Sequence, residues 1–108
     1  MPQIAHNELP QAISLLRGNG VAVKVEARSP DDLVHSQRAV NKDKVRNIIK
    51  DIKNKKQMPP IIISEDDFVI DGHHRWIAYK LLKLPIKCIR IGLPQKEAII
   101  EFKKIEGQ

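Results

Sequence analysis

Phe68-Val69-Ile70-Asp71-Gly72-His73-His74-Arg75-Trp76-Ile77-Ala78-Tyr79-Lys80-Leu81-Leu82 is the stretch whose reading decides the fold. Its first three residues are aromatic or β-branched and suit a strand. From about His74 to Lys83 the chain is apolar and rich in helix formers. Gly72 lies where the two meet and permits a tight turn and a close backbone approach. The segment therefore reads as strand, glycine turn and helix, with one carboxylate, two imidazoles and one guanidinium at the turn. The first turn of a helix has unpaired N–H groups and the positive end of the dipole, which suits a phosphate or a carboxylate. Arg75 offers a planar fork of donors to the same oxygens.

Working outward, Ile61-Ile62-Ile63 and Phe68-Val69-Ile70 flank Glu65-Asp66-Asp67 and predict a β-hairpin. Pro59-Pro60 stops any helix that precedes it. Asn41 predicts an N-cap, followed by Val45, Ile48, Ile49 and Ile52 on one helical face. Val21 to Arg28 alternates, with Val21, Val23 and Val25 on one side and Ala22, Lys24 and Glu26 on the other, as a half-buried strand does. Asn7-Glu8 caps a short helix over 7–17 carrying Leu9, Ile13 and Leu16, which Gly18-Asn19-Gly20 ends. Pro85 opens a strand over Ile86 to Ile91, and Pro94 opens a helix over 94–106 with Ala98, Ile99, Phe102 and Ile105 for packing. The expected fold is α/β (α+β): a small mixed sheet with a β-hairpin, flanked by helices. The expectation is one domain over 1–108, with a core over 21–91 and the two terminal helices as additions.

A chain of 108 residues has room for one modest core. Its apolar runs are too short to span a bilayer, and Met1-Pro2-Gln3-Ile4-Ala5-His6 lacks the pattern of a secretory signal. The single cysteine, Cys88, forms no internal disulfide, so a cytoplasmic protein is expected, with no membrane partner. The net charge is +6. Much of it lies between Lys42 and Lys56, where Lys42, Lys44, Arg46, Lys50, Lys53, Lys55 and Lys56 face only Asp43 and Asp51. Such a helix either tracks nucleic-acid phosphates or presents a solvated face. No aromatic residue interleaves with the lysines, so base stacking on this face is not indicated.

At the turn, Asp71 either caps the helix or serves as a magnesium ligand or general base. His73 and His74 are adjacent and diverge by about 100° on a helix, which does not suit one shared metal. One of them is expected to bond the hairpin backbone and the other to face the pocket as a phosphate contact or proton carrier. Arg75 either binds phosphate or pairs with Asp71 or Glu26. Trp76 and Tyr79 fit a core better than a stacking platform. His35 and Gln37 follow a turn and reach toward the pocket rim.

These residues resemble the ParB/sulfiredoxin superfamily over roughly Val21 to Ile91. The resemblance rests on the strand Val21–Arg28, the helix with Lys44-Val45, Met58-Pro59-Pro60-Ile61-Ile62-Ile63, the loop Asp71-Gly72-His73-His74-Arg75, and Leu84-Pro85-Ile86-Lys87-Cys88-Ile89. It implies nucleotide phosphates bound at this loop, over the start of the following helix. Sulfiredoxins carry a nucleophilic cysteine where this chain has His73, and the chromosome-partition proteins carry a Gly-Glu-Arg-Arg box that this chain lacks. Ile70 to Trp76 is most similar to the DGHHR-motif branch that includes free-serine kinases. That likeness implies Glu26 as catalytic acid/base beside Asp71, His73 and His74. It implies Gly72, His73, His74, Arg75, His35 and Gln37 as the phosphate site, and Mg²⁺ with ADP, ATP or another nucleotide as cofactor. The expected function is thus nucleotide and phosphate binding, with kinase-like phosphoryl transfer or nucleotide hydrolysis. The alternative is a DNA-binding ParB-like module or metal-dependent nuclease, of phage or plasmid type, using Lys42, Lys44, Arg46, Lys50 and Lys53.

Overall fold

In a computed structural model that describes residues 9–35 and 39–106, the mixed sheet expected from the hydrophobic pattern is present, with one more strand than the pattern indicates. The elements run α1 (Leu9–Gly18), β1 (Val23–Arg28), a 3₁₀ turn (Pro30–Asp32), β2 (Val34–His35), α2 (Lys42–Lys53), β3 (Ile61–Ile63), β4 (Phe68–Asp71), α3 (His73–Leu82), β5 (Ile86–Ile91) and α4 (Gln95–Glu106). Their order across the five-stranded sheet is β1-β5-β3-β4-β2. Pairings β1–β5 and β3–β4 are antiparallel; β3–β5 and β2–β4 are parallel. The added strand, β2, is two residues long and pairs with Phe68 and Val69, too short to leave an alternation in sequence.

β3 is apolar and buried on both faces, and β5 is so except at Lys87 and Arg90, because both faces of the sheet centre are covered. On one face Ile62, Ile70, Ile89 and Ile91 pack with Leu16 of α1 and Ala98 and Phe102 of α4. On the other, Ile61, Ile63, Val69, Ile86 and Cys88 pack with Trp76 of α3 and with Leu33. The Trp76 indole N–H donates to the Pro30 carbonyl at 2.9 Å, which ties α3 to the 3₁₀ turn. Helix α2 lies against α3, not against the sheet, so its apolar stripe is only partly covered: Val45 is buried, and Ile48, Ile49 and Ile52 are half-buried. The Val21/Val23/Val25 alternation fails at its end. Val25 is 54% exposed, and Glu26 is half-buried where it meets Arg90.

Local signals explain the element ends. The Asn41 side chain accepts from the Asp43 and Lys44 amides and caps α2, as its position predicts. α1 closes on Gly20 at φ 81, with the Val21 N–H on the Leu16 carbonyl and the Gly20 N–H on the Arg17 carbonyl, a Schellman motif. α2 and α3 close in the same pattern on Lys55 and Lys83, both left-handed, where no glycine marks the stop. α4 is capped from a distance: Asp66 in the β3–β4 turn accepts from the Gln95 amide at 3.0 Å. The Asn7-Glu8 cap lies outside the described residues.

Candidate functional site

The strand–glycine–helix turn is formed by the end of β4, Gly72 and the start of α3. Gly72 is the N-cap at φ 95, ψ 30, in the left-handed region that favours glycine. It is also hemmed in, since a Cβ there would lie 2.5 Å from Ile61 Cγ2 and 2.9 Å from Arg75 Nη2. A glycine cap has no side chain with which to accept from the first amides of α3.

Asp71 is the last residue of β4 and is buried, and Gly72 takes the N-cap position. Asp71 Oδ2 lies 3.8 Å from Arg75 Nη2, with both residues buried. Arg75 Nη2 also donates to the Pro60 carbonyl at a long 3.4 Å, so the guanidinium spans the end of β4 and the lead into β3. Burial pushes the Arg75 guanidinium below its ordinary pKa, and the Asp71 carboxylate works the other way. Of the two carboxylates open to Arg75 in sequence, Asp71 and not Glu26 is its partner.

The two histidines diverge, as adjacent helical residues must. His73 is buried, and its ring meets that of His35 on β2 edge-on, with centroids 5.4 Å apart. His35 in turn lies 4.7 Å from Trp76, and Lys80 Nζ lies 4.8 Å over the Trp76 ring from the side of α3. His74 is half-buried, and its Nε2 accepts the Asn41 backbone N–H at 3.2 Å. The expected bond from a histidine to the hairpin backbone is therefore replaced, for His74, by a bond to the start of α2. The starts of α2 and α3 thereby converge on one imidazole.

An acceptor Nε2 must be unprotonated, and burial together with the nearby Lys44 cation lowers the His74 pKa from 6.5. A base whose folded pKa is lowered adds stability that is complete above its unfolded value and is lost as pH falls through the folded one. Stability is therefore expected to fall on acidification below pH 6.5, with the α2–α3 contact loosening first. Urea midpoints of the wild type and of His74→Gln, compared between about pH 7.5 and about pH 5.5, check this; the wild type should lose more. Equal losses in the two proteins would place the pH sensitivity in other groups.

Glu26 is not brought to the turn. Its row runs through Cys88 on β5 to Ile61 on β3, whereas Asp71 stands one strand further, on β4, so the two are about 14 Å apart across three strand spacings. Glu26 instead accepts from Arg90 Nε. Arg90 also pairs with Asp67 at 2.7 Å and donates to the Ser64 and Glu65 carbonyls, each at 3.0 Å. These bonds outweigh burial and raise the Arg90 pKa, and they pin the hairpin turn to β1 and β5. Cys88 lies on the same face, and burial, aided by Glu26, pushes its thiol up to about 11, so it is an inert core residue. Gln37 lies outside the described residues.

Sequence reasoning missed the part that Asn41 plays at the turn; only its capping role had a local signal. For a metal, the donor set at the turn is poor. Asp71 is its one carboxylate and is held against Arg75, and among the described residues no three His, Cys, Asp or Glu side chains converge. The residues here do not form a protein-built magnesium site of the oxygen-rich kind.

The basic helix is differently arranged. Lys42, Arg46, Lys50 and Lys53 recur at i, i+4, i+8 and i+11 and form one exposed stripe along α2. Lys44 is exposed on the other flank of the apolar face, on the side of His74. Arg46 is loosely paired with Asp43 at 3.6 Å, both largely exposed, and Lys56 with Asp51 at 4.0 Å. Between Lys42 and Lys56, seven basic residues less two acidic leave five of the chain's six net positive charges. No helix among the described residues is long and apolar enough to cross a membrane.

The family model described as "ParB N-terminal domain" matches residues 14–106. Two solved structures share the fold. One is a crystal form of a pNOB8-like ParB-N domain, with TM-score 0.60 and 19% identity, covering 72% of this chain and 33% of that one. The other is a pNOB8-like ParB N-domain, with TM-score 0.59 and 20% identity, covering 71% and 30%. This chain thus spans about a third of the length of the solved chains it matches. No curated protein matches.

Proposed function

The chain belongs to the ParB N-terminal domain family, and on that premise we propose that it is a nucleic-acid-binding module that grips the DNA backbone with α2. One observation carries this reading: five of six net positive charges sit on α2 and the turn after it, with Lys42, Arg46, Lys50 and Lys53 in one exposed stripe. Such a stripe neutralises phosphates irrespective of base sequence, and binding then weakens steeply with salt. Positional order is supplied by the fold: α2 is held at its start by Asn41, whose backbone is tied to His74 on α3. The Asp71–Arg75 pair acts here as a strut that fixes the start of α3. Titrating a short labelled duplex at several salt concentrations tests the proposal. Lys50→Ala/Lys53→Ala should reduce the slope of log affinity against log salt by about 1.8, at about 0.9 per lost phosphate contact. An unchanged slope would overturn it.

A second reading is favoured by Gly72. The start of α3, capped by a residue with no side chain, presents the positive end of the helix dipole, which suits the anion that nucleotide phosphates supply. Together with the likeness of Asp71–Arg75 to the DGHHR branch, this supports a nucleotide as ligand, with His74 and Lys44 beside it. Kinase-like transfer or hydrolysis finds less support, because Glu26 is held by Arg90 far across the sheet and Asp71 by Arg75. Thermal melting with ADP, ATP, CTP or GTP, each with and without Mg²⁺, separates the readings. A nucleotide present at about 100 times its Kd should stabilise the fold by about 2.7 kcal/mol, whereas the DNA reading predicts no shift.

A further inference from the structure

Among the described residues, nothing covers the outward side of α3 at Leu81, which is exposed. Ile77 and Leu81, one turn apart, form a ridge between two open hollows. A hollow of about 730 Å³ lies on one side, against Pro30, Leu84 and Pro85. A smaller one of about 250 Å³ lies on the other, against Val40, Val45 and Ile49 of the α2 side. Leu81 is 64% exposed, Val40 46% and Leu84 40%. A contiguous apolar surface rimmed by polar residues is the form that an interaction site takes. The rim is charged with one sign: Lys80 and Lys83 border the larger hollow and Lys42 and Arg46 the smaller, against Asp31 alone.

We propose that this face binds an acidic amphipathic helix of a partner protein, which straddles the Ile77–Leu81 ridge with apolar anchors in the two hollows and with Asp or Glu toward the basic rim. A ridge with a groove on either side is the shape into which a second helix packs. A two-fold pairing of this face with a second copy would bring like charges together across the contact, since each face meets itself. A flat anionic membrane matches the rim but leaves both hollows unfilled. DNA matches the rim and leaves Leu81 in water. The inference shares Lys42 and Arg46 with the DNA reading but is tested apart from it, because the Ile77–Leu81 ridge and the hollow beside Lys80 and Lys83 lie off the α2 stripe.

The probe is a synthetic amphipathic helix of about four turns, with Leu on one face and Glu flanking it, followed by fluorescence anisotropy and by amide chemical shifts. The expected result is saturable binding with shifts centred on Ile77, Leu81 and Leu84, weakened at least about tenfold by Leu81→Asn. Lys80→Glu/Lys83→Glu should weaken it further at low salt, and a control peptide with Lys in place of Glu should not bind. Leu81→Asn leaves the charge and the α2 stripe intact, so DNA affinity should not change, and failure of one proposal leaves the other standing. The proposal is overturned by absence of saturable binding, by equal binding of the Lys peptide, or by insensitivity to Leu81→Asn. It is equally overturned if Leu81→Asn abolishes instead a concentration-dependent dimer seen by sedimentation, or binding to phosphatidylserine vesicles.

Discussion

Replacing Arg75 with Met is expected to cost about 3–5 kcal/mol of folding stability, a large part of the 5–15 kcal/mol typical of a domain of this size. The reason is Asp71. Asp71 is 5% exposed and Arg75 4%, so water solvates neither charge well once the other is gone. Removing the cation takes the counter-charge from a buried anion, and removing the Pro60 contact loosens the lead into β3. The double variant Asp71→Asn/Arg75→Met should recover much of the loss, because a buried pair replaced as a unit costs little compared with a pair that has been broken. Denaturant midpoints of the two single variants and the double check this. If the double is no better than Arg75→Met, the ion pair is not what holds the turn. The folded double variant also separates the two ligand readings. Binding of nucleotide that survives in it would come from the amides of α3, and DNA binding through α2 should be unaffected.

Gly72→Ala should lower stability by about 2–4 kcal/mol, which corresponds to a fall in Tm of about 10–20 °C for a domain of this size. Two effects add. A left-handed backbone costs an alanine about 1–2 kcal/mol, and the new methyl must enter a packed wall. The wall is Ile61, fully buried and held on both sides by β5 and β4, so its Cγ2 at 2.5 Å has little room to yield. Gly20 is the control: its φ is 81, but nothing lies within 4 Å of a Cβ there. Gly20→Ala should therefore lose only the conformational part, about 1 kcal/mol. Asn tolerates the left-handed region better than Ala, so a purely conformational penalty at Gly72 would be relieved by Gly72→Asn. Steric contact with Ile61 predicts that Asn is no better. Thermal melts of the three variants decide between these.

The two variants mark how far sequence reasoning reaches at the turn. A glycine between a β-branched run and a helical run already indicates a positive φ. It does not indicate the methyl of Ile61, which comes from a neighbouring strand. Likewise Asp71 and Arg75 are four residues apart and their pairing is open to a reading of local spacing, yet so is a capping aspartate. The pair itself is made at the end of β4, where both side chains are buried. Glu26 shows the same limit more strongly. Its place on an alternating strand is legible, but its partner Arg90 is 64 residues away, and nothing local tells which carboxylate that arginine will take.

The sequence by itself determined what depends on a few consecutive residues. It set the strand–glycine–helix turn, the β3–β4 hairpin, the Asn41 cap, the apolar stripe of α2 with its cations, and the glycine stop of α1. Each follows from backbone preference or from a period of two or 3.6 residues, and these act without knowledge of the rest of the chain. The partners of the charged and polar groups came from the folded arrangement: Arg90 for Glu26, the Asn41 amide for His74, the Pro30 carbonyl for Trp76. That arrangement also decided that α2 rests on α3 and leaves the Leu81 ridge uncovered. The physical reason is range: a buried charge or donor must find a partner wherever packing brings one, and packing joins residues that no window along the chain contains.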